Sequence, residues 1–580
     1  MIRYENHFNP TVTPQNEKAR ADQVENNAGG FVFEISKWKQ LDRFLILGCE
    51  GGSYHVGEKQ MTRDNAKNVL ACLEEDGEKA VRRIVEISHS GRAPKNDAAI
   101  FALALAASYD NEKTRKAALA AMPEVCRIGT HLFQFVEAVK GMRGWGKSLK
   151  NGVGNWYSSK NVDQLAFQCI KYANRNGWSH RDLLRMCHIN ANTKGLVDNS
   201  KEALFRYLVA GIDKMDSRLV VRKHGKSEAI KEYAAVSANN LPKLITGYEL
   251  LKAATSANDV VELIKEYGFT HEMIPSNFKN EIAVWEALLP KMPLEATIRN
   301  LAKMTSVGLL APMSDNNKIV CEKLLNKELI EKARLHPISI LSALRVYSSG
   351  HGDKGKLTWT PVQQIVDALD SAYYLAFNYV KPTGKRRFIA VDVSGSMSCS
   401  VVGIPGLTCR EAAAALAMTT VHTEENYCVY GFSTSAKGKY GGRWGGGNAT
   451  LTPIGLSKKM RLDKVQEEMQ KIPMGGTDCS LPMLYAMEHN IPVDTFEVYT
   501  DNETWSGAIH PFEALRKYRQ KMGIPAKLVV IAMQATEFSI ADPSDAGMLD
   551  LVGMDTFTPS FINDFITDED FVLDGKGVVK

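Results

Sequence analysis

The sequence predicts an α + α/β fold, in which a long helical module precedes a doubly wound, Rossmann-like α/β domain. From about Met61 to Leu375, apolar residues recur at helical spacing and are interrupted by short Gly, Pro, Asn or Ser clusters. After Lys381, β-branched and aromatic runs alternate with helical segments. Because 580 residues exceed what one core can bury, we predict modules at 1–372 and 373–560 and an acidic tail at 561–580.

The first module contains many successive amphipathic segments. Four examples are NVLACLEEDGEKAVRRIVEI, DQLAFQCIKYA, EIAVWEALLPKM and NKELIEKARL. Their pattern predicts helices with short connections and no strands between them, which is typical of a solenoid or a bundle of helix pairs. Since the sequence has no clear repeat period, any repeat must be degenerate.

The second module alternates strands and helices. The predicted strands are RRFIAVDVSGS, ENYCVYGFS, DTFEVYT and AKLVVIAM, and the predicted helices are CREAAAALAMTTVHT, LDKVQEEMQKI, SLPMLYAMEHN and PFEALRKYRQKM. This alternation favours a parallel sheet with helices on both faces. The Gly-rich segment KGKYGGRWGGGN is predicted to be a flexible loop, and DFITDEDFVLDGKGVVK a loosely attached acidic tail.

Composition favours a globular protein whose two halves differ in charge. The hydrophobic share of 44% and the charged share of 24% are near globular averages. Residues 381–580 carry 20 Lys+Arg and 24 Asp+Glu, so 51 of the 71 basic and 42 of the 66 acidic residues lie in residues 1–380. The basic first part indicates a polyanionic partner, although a mildly basic solvated surface is the alternative.

Targeting signals and cysteine patterns are consistent with a cytoplasmic protein. The segment MIRYENHFNP lacks the pattern of a signal peptide, and no apolar run approaches the length of about 20 residues needed to span a bilayer. The ten cysteines form no C-x-x-C pair. We therefore expect a cytoplasmic chain with reduced, mostly buried thiols.

Three loops carry oxygen ligands suited to a magnesium ion. Asp392, Ser394 and Ser396 follow the strand FIAV, and the segments GGTD at 475–478 and YTDNE at 499–503 supply further carboxylates and a hydroxyl. In an open parallel sheet such loops meet at the point where the strand order reverses. A hard cation prefers these ligands. For the first motif alone, a Ser-rich turn with a capping Asp is the alternative.

The same loops offer little for catalysis. No His or Lys stands beside these motifs to act as a general base or acid. We therefore expect metal-bridged recognition, and a binding protein rather than an enzyme.

A basic segment interleaved with aromatic residues predicts contact with RNA. Its cations include Lys150, Lys160 and Arg185, and its aromatic residues include Trp145 and Trp178. Lys171 and Arg175 are four residues apart and would share one helix face. Cations that contact phosphates, together with rings that stack on bases, commonly hold RNA. The alternative is an aromatic core with solvated cations.

Two motifs resemble catalytic signatures but lack their context. Residues 141–148, GMRGWGKS, match the P-loop pattern, yet the preceding HLFQFVEAVK predicts a helix where a strand is required. Residues 180–183, HRDL, lack the other parts of a kinase. We interpret the first as a connector between helices and the second as a helix start capped by Ser179 and Asp182.

The loops at 392–396, 477 and 501 resemble the metal-ion-dependent adhesion site of von Willebrand A domains. The pattern D-x-S-x-S, then T, then D is matched in full. The resemblance implies that Ser394, Ser396 and Thr477 bind one Mg²⁺ through hydroxyls, and that Asp392 and Asp501 bind it directly or through water. A sixth position would be open for an acidic oxygen of a partner protein.

Longer motifs give a second resemblance. They are FLILGCEGGSYH, SGRAPKNDAAIFALA, GTHLFQFVEAVKGMRGWGKSLK, KYANRNGWSHRDLLRMCHI, HPISILSALRVYSSGHG, KPTGKRRFIAVDVSGSM, GGTDCSLPM and FSIADPSDAGMLDLVG. From about Asp42 to about Asp555 the chain is similar to the Ro autoantigen (TROVE) family. The resemblance implies a ring of HEAT-like helical repeats closed by a von Willebrand A domain.

The same resemblance implies an RNA-binding function. Family members bind small non-coding Y RNAs on the outer ring surface and single-stranded ends of misfolded RNAs in the central hole, and some bacterial members tether an exoribonuclease through the Y RNA. Lys171, Arg175 and His188 match Y RNA-contacting positions. From charge and spacing we add four further candidates: Arg143, Lys147, His180 and Arg181.

This sequence departs from the family pattern at Gly395, in the Gly-rich insertion 441–447 and in the tail beyond Asp555. None of these removes a metal ligand, but the insertion could alter what docks near the metal. We expect an RNA-binding scaffold for RNA quality control or stabilisation. The alternative is a metal-dependent scaffold whose von Willebrand A domain captures an acidic protein.

Overall fold

The computed structural model describes residues 12–48, 58–187, 199–216, 219–222, 230–233, 237–353, 355–377, 380–401, 406–434, 449–472 and 475–568. The predicted Gly-rich loop at 441–447, the predicted RNA contact His188 and the tail beyond residue 568 lie outside these residues.

The helices α1–α22 of the described residues are, in chain order, Lys37–Leu47, Glu58–Ser90, Asp97–Ser108, Glu112–Val125, Gly129–Arg143, Lys147–Ser158, Val162–Lys171, His180–Cys187, Asn199–Ala210, Lys243–Ala253, Ala257–Tyr267, Ile282–Leu288, Leu294–Ser306, Asp315–Leu325, Lys327–Ala333, Pro337–Ser349, Gln363–Leu375, Cys409–Thr423, Leu462–Lys471, Leu481–Glu488, Pro511–Met522 and Thr558–Thr567. The strands β1–β13 are Gln23–Glu25, Phe31–Glu34, Asn174–Arg175, Trp178–Ser179, Leu219–Arg222, Ile230–Tyr233, Arg387–Asp392, Tyr427–Thr434, Ala449–Pro453, Thr495–Thr500, Lys527–Ala532, Phe538–Ser539 and Met548–Val552.

The chain forms two compact units. The α/β unit comprises Met1–Cys72, Ser90–Ala98 and Val320–Lys580, and the helical unit comprises Leu73–His89 and Ala99–Ile319. The predicted fold class is confirmed, because a helix-rich region precedes a doubly wound sheet. The sequence did not indicate that N-terminal residues join the α/β unit.

The sheet of the α/β unit has the order β13-β11-β10-β7-β8-β9. Five strands from β13 to β8 run parallel, and β9 is an antiparallel edge strand. All residues of β7, β10 and β11 are buried, as expected for a sheet covered on both faces. The four predicted strands are therefore confirmed, whereas β9 and β13 were not predicted.

The helices of this unit follow the predicted pattern closely. The helix predicted from CREAAAALAMTTVHT is α18, which begins with a capping box between Thr408 and Glu411. Its run of alanines allows close packing, and the side chains from Cys409 to Val421 are all buried. The predicted tail begins later than residue 561, because α22 continues to Thr567 and buries Ile562 and Ile566.

An N-terminal hairpin extends the α/β unit. Strands β1 and β2 pair antiparallel, and β2 pairs in turn with β12 through Phe538 and Glu34. Val32 and Phe33 lie in the same hydrophobic core as the central sheet. The buried Arg43 of α1 fixes the next segment, since it forms a 2.6 Å ion pair with Asp550.

The helical unit contains mainly short, packed helices, but it is not purely helical. The predicted helix over NVLACLEEDGEKAVRRIVEI is α2, whose helical geometry breaks at Asp76. Two antiparallel pairs, β3–β4 and β5–β6, interrupt the helices. The expectation of no strands in this region is therefore wrong. In the described part of the chain, no helix has the length and apolar character needed to cross a bilayer.

Candidate functional site

The first candidate site lies where the order of the central sheet reverses. Strands β7 and β10 are neighbours and run parallel, and Asp392 is the last residue of β7 while Asp501 follows β10. From β7 the chain continues outward to β8, and from β10 it continues outward to β11 on the other side. The loops that follow the two strands therefore diverge and leave a crevice, which is where doubly wound folds bind ligands.

Asp392 is held in one orientation by two hydrogen bonds. Its Oδ1 accepts from the backbone N–H of Ser394 at 2.9 Å, and its Oδ2 accepts from the hydroxyl of Thr500 at 2.7 Å. The hydroxyl oxygens of Ser394 and Ser396 are 3.0 Å apart. The carboxylate and both serine hydroxyls thus belong to one tight turn.

The third predicted loop is tied to both of the others. The Gly395 N–H donates to the carbonyl oxygen of Gly475 at 3.3 Å. The backbone N–H groups of Trp505 and Ser506 donate to the carbonyl oxygen of Thr477 at 3.2 and 3.1 Å. The structure therefore brings together the loops that carry all five predicted metal ligands.

The chemistry of this donor set fits a hard cation. All five predicted ligands are buried, with at most 3% of each residue exposed: Asp392, Ser394, Ser396, Thr477 and Asp501. Burial, and then the nearby charge of Asp501, raise the pKa of Asp392 to about 7, although hydrogen bonds from Ser394 and Thr500 oppose this rise. Two adjacent buried carboxylates repel each other, and a divalent cation removes that repulsion.

Hydroxyl oxygens are essential to this interpretation. Within the residues that the structure describes, no group of three or more His, Cys, Asp and Glu side chains is placed to hold a metal. The predicted set contains only two such side chains, and hydroxyls supply its other ligands. The magnesium assignment therefore stays a prediction that the donor set fits.

An N-terminal residue, Gln15, connects two of these loops. Its amide Nε2 donates to Asp478 Oδ1 at 2.7 Å, and its Oε1 accepts from the Thr504 hydroxyl at 2.5 Å. Gln15 is fully buried. Since Asp478 follows the predicted ligand Thr477 and Thr504 lies three residues after Asp501, this one side chain fixes the spacing of both loops.

The N-terminal hairpin adds further contacts to the loop after β10. Asn26 Nδ2 donates to the Thr504 carbonyl oxygen at 2.7 Å, and Asn27 Nδ2 donates to Glu503 Oε1 at 2.7 Å. A Cβ atom on Gly30 would lie 1.9 Å from the same Thr504 oxygen, so only glycine fits there. Sequence analysis missed these residues, although the turn residues NNAGG before the strand FVFEI indicate a hairpin.

The second candidate site lies in the helical unit, around α5 to α8. Helix α5 contacts β3, and α6 contacts α8. Arg143 ends α5 and Lys147 begins α6, and both side chains are exposed. Because residues 144–146 connect two helices, the P-loop resemblance has no structural basis, as predicted.

Lys171 and Arg175 do not share a helix face, and that expectation is wrong. Helix α7 ends at Lys171, and Arg175 lies in the hairpin β3–β4. Lys171 is half-buried, and its Nζ is 3.3 Å from Glu272 Oε1. Arg175 is exposed. The helix ends where Tyr172 leaves helical geometry, at φ −118° and ψ 54°, and Asn176 and Gly177, with φ values of 51° and 76°, then form the tight turn of the hairpin.

His180 is buried rather than exposed, contrary to the expectation of a surface cation. Its side chain is 2% exposed, and Nδ1 lies 2.7 Å from the Tyr157 hydroxyl. Burial lowers the pKa of His180 to about 4. A neutral interior imidazole cannot contact phosphate, so spacing in the sequence misplaced this residue.

Arg181, the next residue, is exposed in the first turn of α8. Asp182 caps this helix, since its Oδ2 accepts from the Ser179 N–H at 3.0 Å and from the Ser179 hydroxyl at 2.5 Å. The predicted helix start is confirmed. Arg143, Lys147, Arg175 and Arg181 remain as exposed cations on neighbouring elements, and His188 lies outside the described residues.

The fold and these two sites define a class of protein: a helical module that presents cations, joined to a von Willebrand A-type domain. Family profiles agree, because the TROVE domain matches residues 24–385 and the Ro60 vWA domain matches residues 386–566. The chain belongs to the TROVE family of Ro proteins, and the resemblance seen in the sequence is confirmed.

Individual relatives extend over nearly the whole chain. A Caenorhabditis elegans protein named "RNA-binding protein RO60" is 38% identical, over 96% of this chain and 92% of the relative. A Deinococcus radiodurans protein of the same name is 37% identical, over 97% of this chain and 98% of the relative. The crystal structure of the Deinococcus radiodurans RO (RSR) protein aligns with a TM-score of 0.64 at 35% identity, over 92% of this chain and 100% of that chain.

Proposed function

We propose that this chain binds RNA through the exposed cations of its helical unit and acts without enzymatic turnover in the cytoplasm. The observation that carries the proposal is the exposed Arg175 on a tight hairpin beside α5, in a chain similar throughout to proteins named RNA-binding. The RNA is a Y-like small non-coding RNA, and single-stranded ends of misfolded RNA are a second substrate. The role is RNA quality control or stabilisation, and the RNA can tether an exoribonuclease.

Electrostatics supports this proposal. A guanidinium donates two parallel hydrogen bonds to a phosphate, and a short hairpin limits the number of positions the Arg175 side chain can reach. Lys171 is less accessible to RNA, because its Nζ pairs with Glu272 and only 15% of its side chain is exposed. We expect Arg175 to contribute more binding than Lys171.

The test compares Arg175→Ala with a matched change, Arg299→Ala, by filter binding of a structured Y-like RNA over a range of salt concentrations. Arg299 lies in the same unit and pairs on its own helix with Glu295, with 74% of its side chain exposed. Arg175→Ala should weaken binding and reduce the salt slope by roughly 0.7 to 0.9, the value for one lost phosphate contact. Arg299→Ala should change neither. Equal effects of the two variants would contradict the assignment.

We further propose that the three loops at 392–396, 475–478 and 499–503 bind one Mg²⁺. Ser394, Ser396 and Thr477 would supply hydroxyl oxygens, and Asp392 and Asp501 would supply carboxylates directly or through water. The bound ion would offer an open coordination position to an acidic group of a partner. Calorimetric titration with MgCl₂ should give one site in the intact chain and none in Asp392→Ala, with both proteins folded by circular dichroism. Unchanged binding in the variant would contradict this assignment.

A second candidate function is capture of an acidic protein at the metal loops. It is favoured by Trp505, whose side chain is 42% exposed although its backbone is fixed to Thr477. An exposed indole beside the cation offers apolar contact to such a partner. If Asp392→Ala abolishes capture of the partner and leaves RNA affinity unchanged, the two units bind independently. If RNA affinity falls as well, the metal site also serves RNA.

A further inference from the structure

A groove in the helical unit lies next to the proposed RNA contact Arg175. It has a volume of about 810 Å³, and residues of α5, α6, α8 and the β3–β4 turn contribute to its lining. Its aromatic and cationic members are Lys140, Trp145, Lys150, Trp178 and Arg185. Neither the family profiles nor the names of the relatives give this groove a role.

Two tryptophan rings form one wall of the groove. The ring centroids of Trp145 and Trp178 are 5.9 Å apart, and their planes differ by 19°. Lys140 Nζ lies 4.9 Å from the Trp178 ring centroid, which is a favourable cation–π distance. Trp178 is buried, while Trp145 is half-buried and borders solvent. Trp145 therefore provides ring surface on which a flat ligand can stack.

The two indole N–H groups differ. Trp178 Nε1 donates to Glu137 Oε2 at 2.5 Å. Trp145 Nε1 is shielded from solvent and, among the described residues, has no hydrogen-bond acceptor. The part of Trp145 that a ligand in the groove can contact is therefore its ring rather than its N–H.

The charges of the groove favour an anionic ligand. Both acidic groups on its lining are engaged within the protein, because Glu137 accepts from Trp178 and Asp182 caps α8. Lys150 is half-buried and Arg185 is exposed, and neither forms an ion pair within the described residues. The available charge is therefore positive, beside an aromatic surface.

The hairpin connects this groove to the proposed phosphate contact. Arg175 and Trp178 are cross-strand partners in the β3–β4 register. Side chains directly opposite each other in an antiparallel pair lie on the same face. An RNA phosphate held by Arg175 would consequently place its neighbouring nucleotide near the tryptophan wall.

We propose that this groove binds an unpaired nucleobase of the RNA, stacked on Trp145, with Lys150 and Arg185 near its phosphates. The proposal rests on the proposed RNA-binding function and assigns an unpaired base of the RNA to this groove. A buried base pair exposes no face, so a blunt duplex cannot use the groove. A free mononucleotide shares this chemistry but lacks the additional phosphate contacts.

The test compares two RNAs, a blunt hairpin and the same hairpin with a short single-stranded extension containing 2-aminopurine. Stacking on an aromatic side chain contributes about 1–3 kcal/mol per base, or roughly 5- to 150-fold in affinity. The intact chain should therefore prefer the extended RNA by about tenfold and quench 2-aminopurine fluorescence. Trp145→Ala should remove the preference and the quenching while leaving affinity for the blunt hairpin within about twofold.

Three controls make the outcome decisive. Trp145→Phe keeps a ring and should retain most of the preference, which separates stacking from a folding defect. Phe561→Ala removes an exposed aromatic ring that belongs to neither proposed site and should have no effect. Excess mononucleotide that abolishes the quenching at micromolar concentration would identify the source as a free nucleotide and overturn the RNA assignment.

The groove proposal and the RNA-binding proposal fail in different ways. If Trp145→Ala keeps the preference for the extended RNA, the groove proposal is overturned while RNA binding stands. If the intact chain binds neither RNA, both are overturned.

Discussion

Lowering the pH should destabilise the helical unit, because His180 must remain neutral in the folded state. Its imidazole lies among aromatic rings, with the Phe133 ring centroid at 4.8 Å and the Trp156 ring centroid at 6.2 Å. Burial is the largest cause that lowers its pKa from the ordinary 6.5 to about 4, and backbone hydrogen bonds oppose it. Protonation therefore favours the unfolded chain.

The size and sign of the effect follow from proton linkage. Above pH 6.5 the imidazole is neutral in both states, so His180 makes no pH-dependent contribution. Between pH 6.5 and 4 the unfolded chain binds a proton that the folded chain does not, and stability falls as the pH falls. With 1.36 kcal/mol for each unit of pKa difference, the loss between pH 7.5 and pH 5 is about 2 kcal/mol.

Native-state hydrogen exchange of the α6 and α8 backbone amides measures this loss within the correct unit. The opening free energy should fall by about 2 kcal/mol more in the intact chain than in His180→Gln, which cannot titrate. His336 serves as an internal control, because burial also lowers its pKa to about 4 and it lies in the α/β unit. The pH dependence of amide exchange around His336 should be the same in the intact chain and in His180→Gln. An identical pH dependence in the intact chain and His180→Gln would refute the reasoning.

Three further predictions concern the α/β unit and the connector between α5 and α6. Gly30→Ala places a Cβ 1.9 Å from the Thr504 oxygen and should lower stability by about 1–3 kcal/mol in thermal melting. Gly455→Ala is the control and should be close to neutral, because a Cβ there meets no atom within 4 Å. Similar melting temperatures for the two variants would contradict this contact. If the loops bind Mg²⁺, Gln15→Ala should weaken calorimetric Mg²⁺ affinity by about tenfold through loss of loop positioning, and unchanged affinity would show that the N-terminal segment does not support the site. Lys147→Ala should leave nucleotide turnover at background, as in the intact chain, and a measurable rate abolished by this change would restore the P-loop interpretation.

The convergence of the loops at the proposed cation site could be predicted from the sequence. Asp392, Thr477 and Asp501 lie in loops that follow strongly patterned segments, and parallel strand order brings such loops together whatever the details of packing. Gln15 could not be predicted in this way, because its partners Asp478 and Thr504 are more than 460 residues distant along the chain. No local pattern indicates which distant loop a buried amide will bridge.

The sequence by itself determined four central strands of the α/β unit and the helices between them, the oxygen-rich loops proposed to bind a metal, and the basic character of the segment around Lys171. These follow from local periodicity and residue chemistry, which act over a few residues. Only the tertiary structure decided that His180 is interior, that Arg175 lies on a hairpin and that the tryptophans form a groove. Burial and side-chain direction depend on where each element packs, and α7 ends at Lys171, so Arg175 lies on the following hairpin and not on the helix.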